Sequence, residues 1–346
     1  MPIHTISKSR YLSGYQCLKK LYLEKYHPDL KPEVSLAQQA IFEQGHSVGY
    51  YARMLFPDGK DATPRSYYNF EPSIEKTSRW IADGEPVIYE AAFVNDSVLA
   101  ALDILLTQNG ERYAVEVKSS VKVKDYHIID GSLQYWVMDQ CGYPPDRFFI
   151  MHLNNQYIRD GGLNVAQLFT LTDITQQVLD LQQEVPERIA GMKATLAARE
   201  MPAIDIGPHC SSPFACDFMH HCWQHVPRNS MFEISRIGAK AWKYYERGIL
   251  SINDLSEKDE ANFTEKQLLQ VHGVKHHQEV INRDRIRKWL DDLVYPLYFF
   301  DFETINPGIP VYNNSRPYQQ LPVQYSLHIV KAEGSKPQHQ EFFGRF

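Results

Sequence analysis

Asp103, Glu116 and Lys118 are the residues whose types and spacing most readily do chemistry. They lie in VLAALDILLTQNGERYAVEVKSS, residues 98–120. Two apolar runs flank Asn109-Gly110, the strongest short signal for a two-residue hairpin. With Asn109 and Gly110 at the centre of the turn, Gln108 faces Glu111, and stepping outward brings Asp103 opposite Glu116. Directly opposed residues project from one side of a sheet. Lys118, two residues beyond Glu116, shares that side, while Val115 and Val117 point the other way. Two facing carboxylates destabilise a hairpin unless something compensates. A divalent cation does so, and carboxylates are suitable hard oxygen ligands for Mg²⁺ or Mn²⁺. The plainer alternative is a solvated sheet face whose acids pair with lysines. Glu90, on the preceding strand-like VIYEAAF, either joins this group or is surface.

A second cluster is CSSPFACDFMHHCW, residues 210–223, in which five residues separate Cys210 from Cys216 and Cys216 from Cys222. The chain has five cysteines in all, the others being Cys17 and Cys141. Closely spaced thiols in a reducing compartment are expected to hold metal rather than to form disulfides. Soft thiolates suit both zinc and iron–sulfur centres. His209, His220, His221 and His225 are near enough in sequence to share a zinc site.

Composition limits what these groups can belong to. The 346 residues are 43% hydrophobic and 23% charged, which fits a folded globular chain of two domains or one domain with an appendage. No apolar run is long enough for a membrane span, and MPIHTISKSRYLSG lacks the apolar centre of a secretory signal. A cytoplasmic protein is expected. The net charge of −6 requires that any nucleic acid be held by local patches. Lys8, Arg10, Lys19, Lys20 and Lys25, against Glu24, offer one near the N-terminus, although on charge alone a solvated helix face is the better reading.

The elements that must position these groups follow from periodicity. Residues 35–57 read as an amphipathic helix that opens on a Ser35–Gln38 capping box and stops at Pro57, with His46 between Gly45 and Gly49. After the hairpin, Lys122 and Lys124 precede a helix bearing Gln134, Tyr135 and Trp136. Such basic and aromatic side chains can contact phosphates and stack on bases, or fill an ordinary core. Three segments are expected. Residues 1–227 mix helix and strand, 228–296 are a helical connector, and 297–346 carry strand-like runs at 297–303, 323–330 and 340–343.

The order of these motifs resembles a known family. A Cys after SKSRYLSGYQ, a G-H-x-x-G helix, an Asp strand, E-V-K, a helix with Gln and a late Cys triplet are similar to the PD-(D/E)XK nuclease superfamily. The similarity is to its RecB-like, iron–sulfur branch, which includes Cas-four and AddB proteins. Residues from about 228 onward, especially YPLYFFDFETINPGIPVYNN, resemble bacterial proteins grouped as domain of unknown function 2779, which join such a nuclease to a ribonuclease-H-like module. The resemblance implies an α/β fold. It would be a restriction-endonuclease-like mixed sheet flanked by helices with a metal-braced helical cap, then the connector and an incomplete ribonuclease-H-like β segment.

It also implies roles. Asp103, Glu116 and Lys118 would be catalytic, and His46, Asp103, Glu116 and the carbonyl of Val117 would hold Mg²⁺ or Mn²⁺. Cys17, Cys210, Cys216 and Cys222 would hold a structural [4Fe–4S] cluster, with zinc as the alternative and Cys141 left as an ordinary thiol. Gln134, Lys122 and Lys124 would contact nucleic acid, expected to be single-stranded DNA. In the family the Gln is followed four residues later by Tyr, whereas this chain has Met138. Asp301 and Glu303 alternate onto one strand face as in the first motif of DEDD-type exonucleases, yet no Asp follows Glu303. They are read as a vestigial second site, and a protein partner is expected to complete or cover that segment.

Overall fold

The computed structural model describes residues 5–66, 68–198 and 200–344. The chain divides into two compact units. One comprises the residues up to Ile204 together with Thr304–Leu321, and the other Asp205–Glu303 together with the residues from Pro322 on.

The first unit is a mixed α/β structure. Its helices are α1 (Lys8–Gln16), α2 (Leu18–Tyr26), α3 (Leu36–Arg53), α4 (Glu71–Ala82), α5 (Asp125–Gln140), α6 (Val165–Leu168), α7 (Thr175–Asp180) and α8 (Val185–Ala197). Its strands are β1 (Lys60–Asp61), β2 (Val87–Asn95), β3 (Val98–Gln108), β4 (Glu111–Lys118), β5 (Arg147–Leu153) and β6 (Phe169–Asp173). The six strands lie side by side in chain order. β2, β3 and β4 form an antiparallel meander, and β6 is antiparallel to β5. β1 on β2 and β5 on β4 are parallel pairs. α5 is the crossover between β4 and β5, as a parallel connection requires.

Two-residue turns fix the register of the meander. Asn109 and Gly110 have φ of 54° and 82°, and Gln108 pairs with Glu111. Asp96 and Ser97 have φ of 45° and 60°, and Asn95 pairs with Val98. Turns with both central residues at positive φ match the right-handed twist of the flanking strands.

Each sheet face has its own core. On one side Leu133, Val137 and Met138 of α5 and Ile189, Met192 and Leu196 of α8 pack with Tyr11 of α1 against Ile88, Leu102, Leu105, Ala114 and Ile150. On the other, Val48 and Ala52 of α3 pack against Tyr89, Ile104, Val115 and Met151. Regular alternation would put Leu102 and Ile104 on the same side. They lie on opposite sides, with Asp103 at the switch. On β2, Tyr89 and Ala91 likewise fall in different cores, with Glu90 between them at φ 52°. The simple pleat read from sequence therefore fails locally, at the level where the acids sit.

The basic N-terminal residues make contacts within the chain. Lys19 and Lys25 donate to the carbonyls of Ile204 and Leu196, and buried Lys20 donates to Gln16. Lys8 reaches Glu116. These four ammonium groups each hold an acceptor within the chain, Lys20 from a buried position and Lys25 from an exposed one.

Residues 304–321 are a strap on the first unit. The Tyr318 hydroxyl donates to the Ser119 carbonyl at 2.6 Å and accepts from Gln44 at 2.6 Å, and Gln44 in turn accepts from the Gly308 N–H. Arg159 donates to the carbonyls of Pro310 and Val311.

The second unit contains α9 (Met219–Cys222), α10 (Lys240–Glu246), α11 (Glu257–Glu260), α12 (Glu265–His276) and α13 (Arg283–Asp291). It also holds most of a three-stranded sheet of β7 (Leu297–Ile305), β8 (Leu321–Val330) and β9 (Gln338–Phe343), in that order. Its core gathers Met231, Ile234, Tyr244, Ile252, Leu255, Phe263 and Val271. Within the helical connector expected over 228–296, α10 begins only at Lys240, after Arg236 and Gly238 take positive φ. Tyr298, Phe299, Phe300 and Phe302 of β7 are exposed. Among the described residues no helix is long and apolar enough to cross a membrane.

Candidate functional site

Three strands bring three carboxylates to one level. The register of β2 on β3, carried through its interruption, sets Glu90 level with Asp103, and that of β3 on β4 sets Asp103 level with Glu116. The Asp103 side chain takes over where main-chain pairing stops, its Oδ2 accepting the Val117 N–H at 2.6 Å. This seats the Asp103 carboxylate beside the Glu116–Val117 peptide.

Glu116 is buried and surrounded by donors. Lys8 Nζ lies 3.0 Å from Oε1 and 3.1 Å from Oε2. Lys118 Nζ is 2.8 Å from Oε1, and Gln134 Nε2 is 3.1 Å from Oε2. Lys118 also donates to Asp130 Oδ2 at 2.7 Å. Asp130 and Gln134 stand four residues apart on α5, so one helix face supplies both. Arg53 of α3 ties Glu90 to Asp61.

The protonation equilibria follow from this crowding. Burial, then the negative charge of Glu116, pushes the Asp103 carboxyl up to about 7. Burial alone would also raise Glu116, but Lys118 and Lys8 hold it well below the usual carboxylate range. Lys118 is pushed the other way: burial opposes its charge, yet Asp130 and Glu116 keep it firmly an ammonium. Burial, Lys118 and Lys124 lower His127 to about 3, so that ring is neutral.

Two cavities open on the group. One of about 590 Å³ is lined by Lys8, Glu90, Glu116, Lys118 and Asp130 among others. The other, of about 430 Å³, is lined by His46, Arg53, Glu90, Asp103 and Val117 among others. His46, Asp103 and Val117 thus share one cavity, Glu116 and Lys118 share the other, and Glu90 borders both.

The remaining candidates are dispersed. Lys122 and Lys124 are exposed just before α5, whereas Gln134 has no exposed surface and supports Glu116 from within. Asp301 and Glu303 are exposed on β7. Cys17, in the first unit, separates α1 from α2. In the second unit, buried Cys210 ends a short 3₁₀ turn and its carbonyl accepts the Cys216 N–H at 2.8 Å, while Cys222 closes α9. Cys141 lies against the Val94 carbonyl, and burial raises its thiol.

Sequence reasoning missed Lys8 and Asp130. Asp130 had a usable signal, an acid one turn before Gln134 on the same helix. Lys8 had none, because it reaches Glu116 only through the tertiary fold.

The donor set suits a divalent ion in part. The site concentrates four carboxylates, and burial and the negative charge of Glu116 raise the Asp103 carboxyl more than Lys8 and Lys118 lower it. Asp130 Oδ1 and Gln134 Oε1, both acceptors, are buried without a hydrogen-bond donor. Against this, among the described residues no three Cys, His, Asp or Glu side chains already converge in ligating positions.

Comparison with known proteins adds one match. The family described as Domain of unknown function (DUF2779) matches residues 298–345, which include the whole strap and all of the three-stranded sheet except Leu297. None of the curated proteins matches the chain.

Proposed function

We propose that the first unit is a metal-dependent nuclease of PD-(D/E)XK type that hydrolyses DNA phosphodiester bonds, acting from an end of single-stranded DNA. The observation that carries this reading is the seating of Asp103 beside Glu116 with Lys118 on Glu116. Asp103, Glu116, the Val117 carbonyl and His46 would hold Mg²⁺ or Mn²⁺. Such an ion lowers the pKa of a bound water and offsets charge building on the phosphate.

The chain's own residues supply the rest. Lys118 stays charged beside Asp130 and Glu116, so it serves as a fixed positive charge for the pentacovalent phosphate rather than as a base. Asp130 and Gln134 orient Lys118 and Glu116 from α5. Lys122 and Lys124 offer exposed charge to the backbone of the strand. We assign Cys17, Cys210, Cys216 and Cys222 to a structural [4Fe–4S] cluster on the resemblance and on thiolate chemistry, with zinc as the alternative. The residues matching DUF2779 would serve as a module that a protein partner covers.

A second reading has its own support. Glu116 already accepts from Lys8, Lys118 and Gln134, so the group also works as a closed ion-pair network bracing a non-catalytic nucleic-acid-binding module. Incubation of labelled single-stranded DNA with Mn²⁺ separates the two. Cleavage that EDTA and Lys118→Ala both abolish supports the nuclease, and binding without cleavage supports the brace.

A further inference from the structure

Glu116 has no free lone pair. An ionised carboxylate presents about four acceptor positions on its two oxygens. Lys8 fills one on each oxygen, at 3.0 and 3.1 Å. Lys118 fills the second on Oε1 at 2.8 Å, and Gln134 the second on Oε2 at 3.1 Å. A cation cannot bind Glu116 until one of these donors leaves.

The donors differ in how firmly they are held. Gln134 is fully buried on α5. Lys118 is bound a second time, to Asp130 at 2.7 Å. Lys8 is the first residue of α1, its side chain is a quarter exposed, and it lines the 590 Å³ cavity. A long flexible stem lets its ammonium move aside without moving the helix.

We propose that Lys8 is a displaceable stand-in cation, which occupies the Glu116 carboxylate until a divalent ion takes its place. This rests on the metal-dependent reading above. Lys8 explains how a site with Glu90, Asp103, Glu116 and Asp130 stays assembled without metal. It also explains why the ligands do not yet converge: Glu116 points its lone pairs at ammonium groups. A divalent ion that displaces Lys8 brings twice the charge to the same oxygens. Lys8 therefore sets a threshold for metal occupancy, and its removal frees two positions on Glu116.

Calorimetric titration with MnCl₂ tests this on the full-length protein, with circular dichroism to check folding. Lys8→Met is expected to bind Mn²⁺ about ten-fold more tightly than wild type, the scale of a lost charge-assisted competitor. Asp103→Asn should bind more weakly. If Lys8→Met proves unstable, Lys8→Arg replaces it. A guanidinium pairs with a carboxylate through two parallel bonds, so this variant should bind Mn²⁺ more weakly than wild type. Equal or weaker binding by Lys8→Met, or unchanged binding by Lys8→Arg, overturns the proposal if Asp103→Asn still loses Mn²⁺. If none of the proteins binds Mn²⁺, or Asp103→Asn binds as wild type does, the metal reading itself falls and Lys8 with it.

Discussion

The Lys118 ammonium stands 2.7 Å from Oδ2 of Asp130, joining the end of β4 to the middle of α5. Both side chains are largely withdrawn from water, with 22% and 3% of their surface exposed. Asp130→Asn keeps the shape and removes the charge. Lys118 keeps its contact with Glu116, so the variant loses one charge-assisted hydrogen bond, about 1.5–3 kcal/mol. We expect a loss of that order in urea unfolding, and a drop in Mn²⁺-dependent cleavage of about ten-fold as Lys118 loses its orientation. Wild-type stability in Asp130→Asn would show that this ion pair is not holding the site.

Stability should depend on pH through Asp103. Its carboxyl is pushed up to about 7, whereas in the unfolded chain it ionises near the ordinary 3.8. Between these values the native state keeps a proton that the unfolded state has released. By linkage, its contribution to stability therefore falls as pH rises through that window. Glu116 acts in the opposite sense, because its native value is lowered: its contribution is present above the ordinary 4.5 and lost as pH falls. Denaturation of metal-free wild type and Asp103→Asn from pH 4 to pH 8 isolates the first term. The variant should gain on wild type as pH approaches 7, and a constant difference would contradict the assignment.

Much of this site was legible because an Asn-Gly turn fixes its register. Gln108 pairs with Glu111 in the structure, and Asp103 comes level with Glu116 from that alone. His46 enters the candidate set only through the family resemblance, and it lines the cavity that Asp103 also borders. What sequence spacing did not give is the break in pleat at Asp103 and Glu90, which needs the whole sheet. Nor did it give Lys8, which is 108 residues from Glu116. The strap was hidden for the same reason. Pro307, Pro310 and Pro317 disfavour a regular element there, but only tertiary packing brings Tyr318 between Ser119 and Gln44.

That bridge makes its own prediction. Ser119 follows Lys118 directly, and Gln44 lies two residues before His46, so Tyr318 links the two elements that carry candidate ligands. Tyr318→Phe removes both hydrogen bonds and leaves partly buried partners behind. We expect a loss of about 1–3 kcal/mol in denaturant unfolding and weaker Mn²⁺ binding. A variant with wild-type stability and affinity would show that the strap only covers the surface.

The cysteines can be tested without any nucleic acid. Anaerobically purified protein should be brown and contain iron and acid-labile sulfide in equal amounts. Cys17→Ala, Cys210→Ala, Cys216→Ala and Cys222→Ala should each lose both, while Cys141→Ala keeps them, since its half-buried thiol donates to the Val94 carbonyl. Zinc in place of iron would select the alternative centre, and iron retained by Cys17→Ala would remove that residue from the ligand set.

The most direct measurement is single-turnover cleavage of end-labelled single-stranded DNA with saturating Mn²⁺, comparing wild type with folded Asp103→Asn. Cleavage by wild type that falls at least about a hundred-fold in the variant is the expected result, the scale of losing one preorganised electrostatic group. Equal rates for the two proteins, or no cleavage by wild type that binds Mn²⁺ and DNA, would contradict the assignment of Asp103 and Glu116 to phosphodiester hydrolysis.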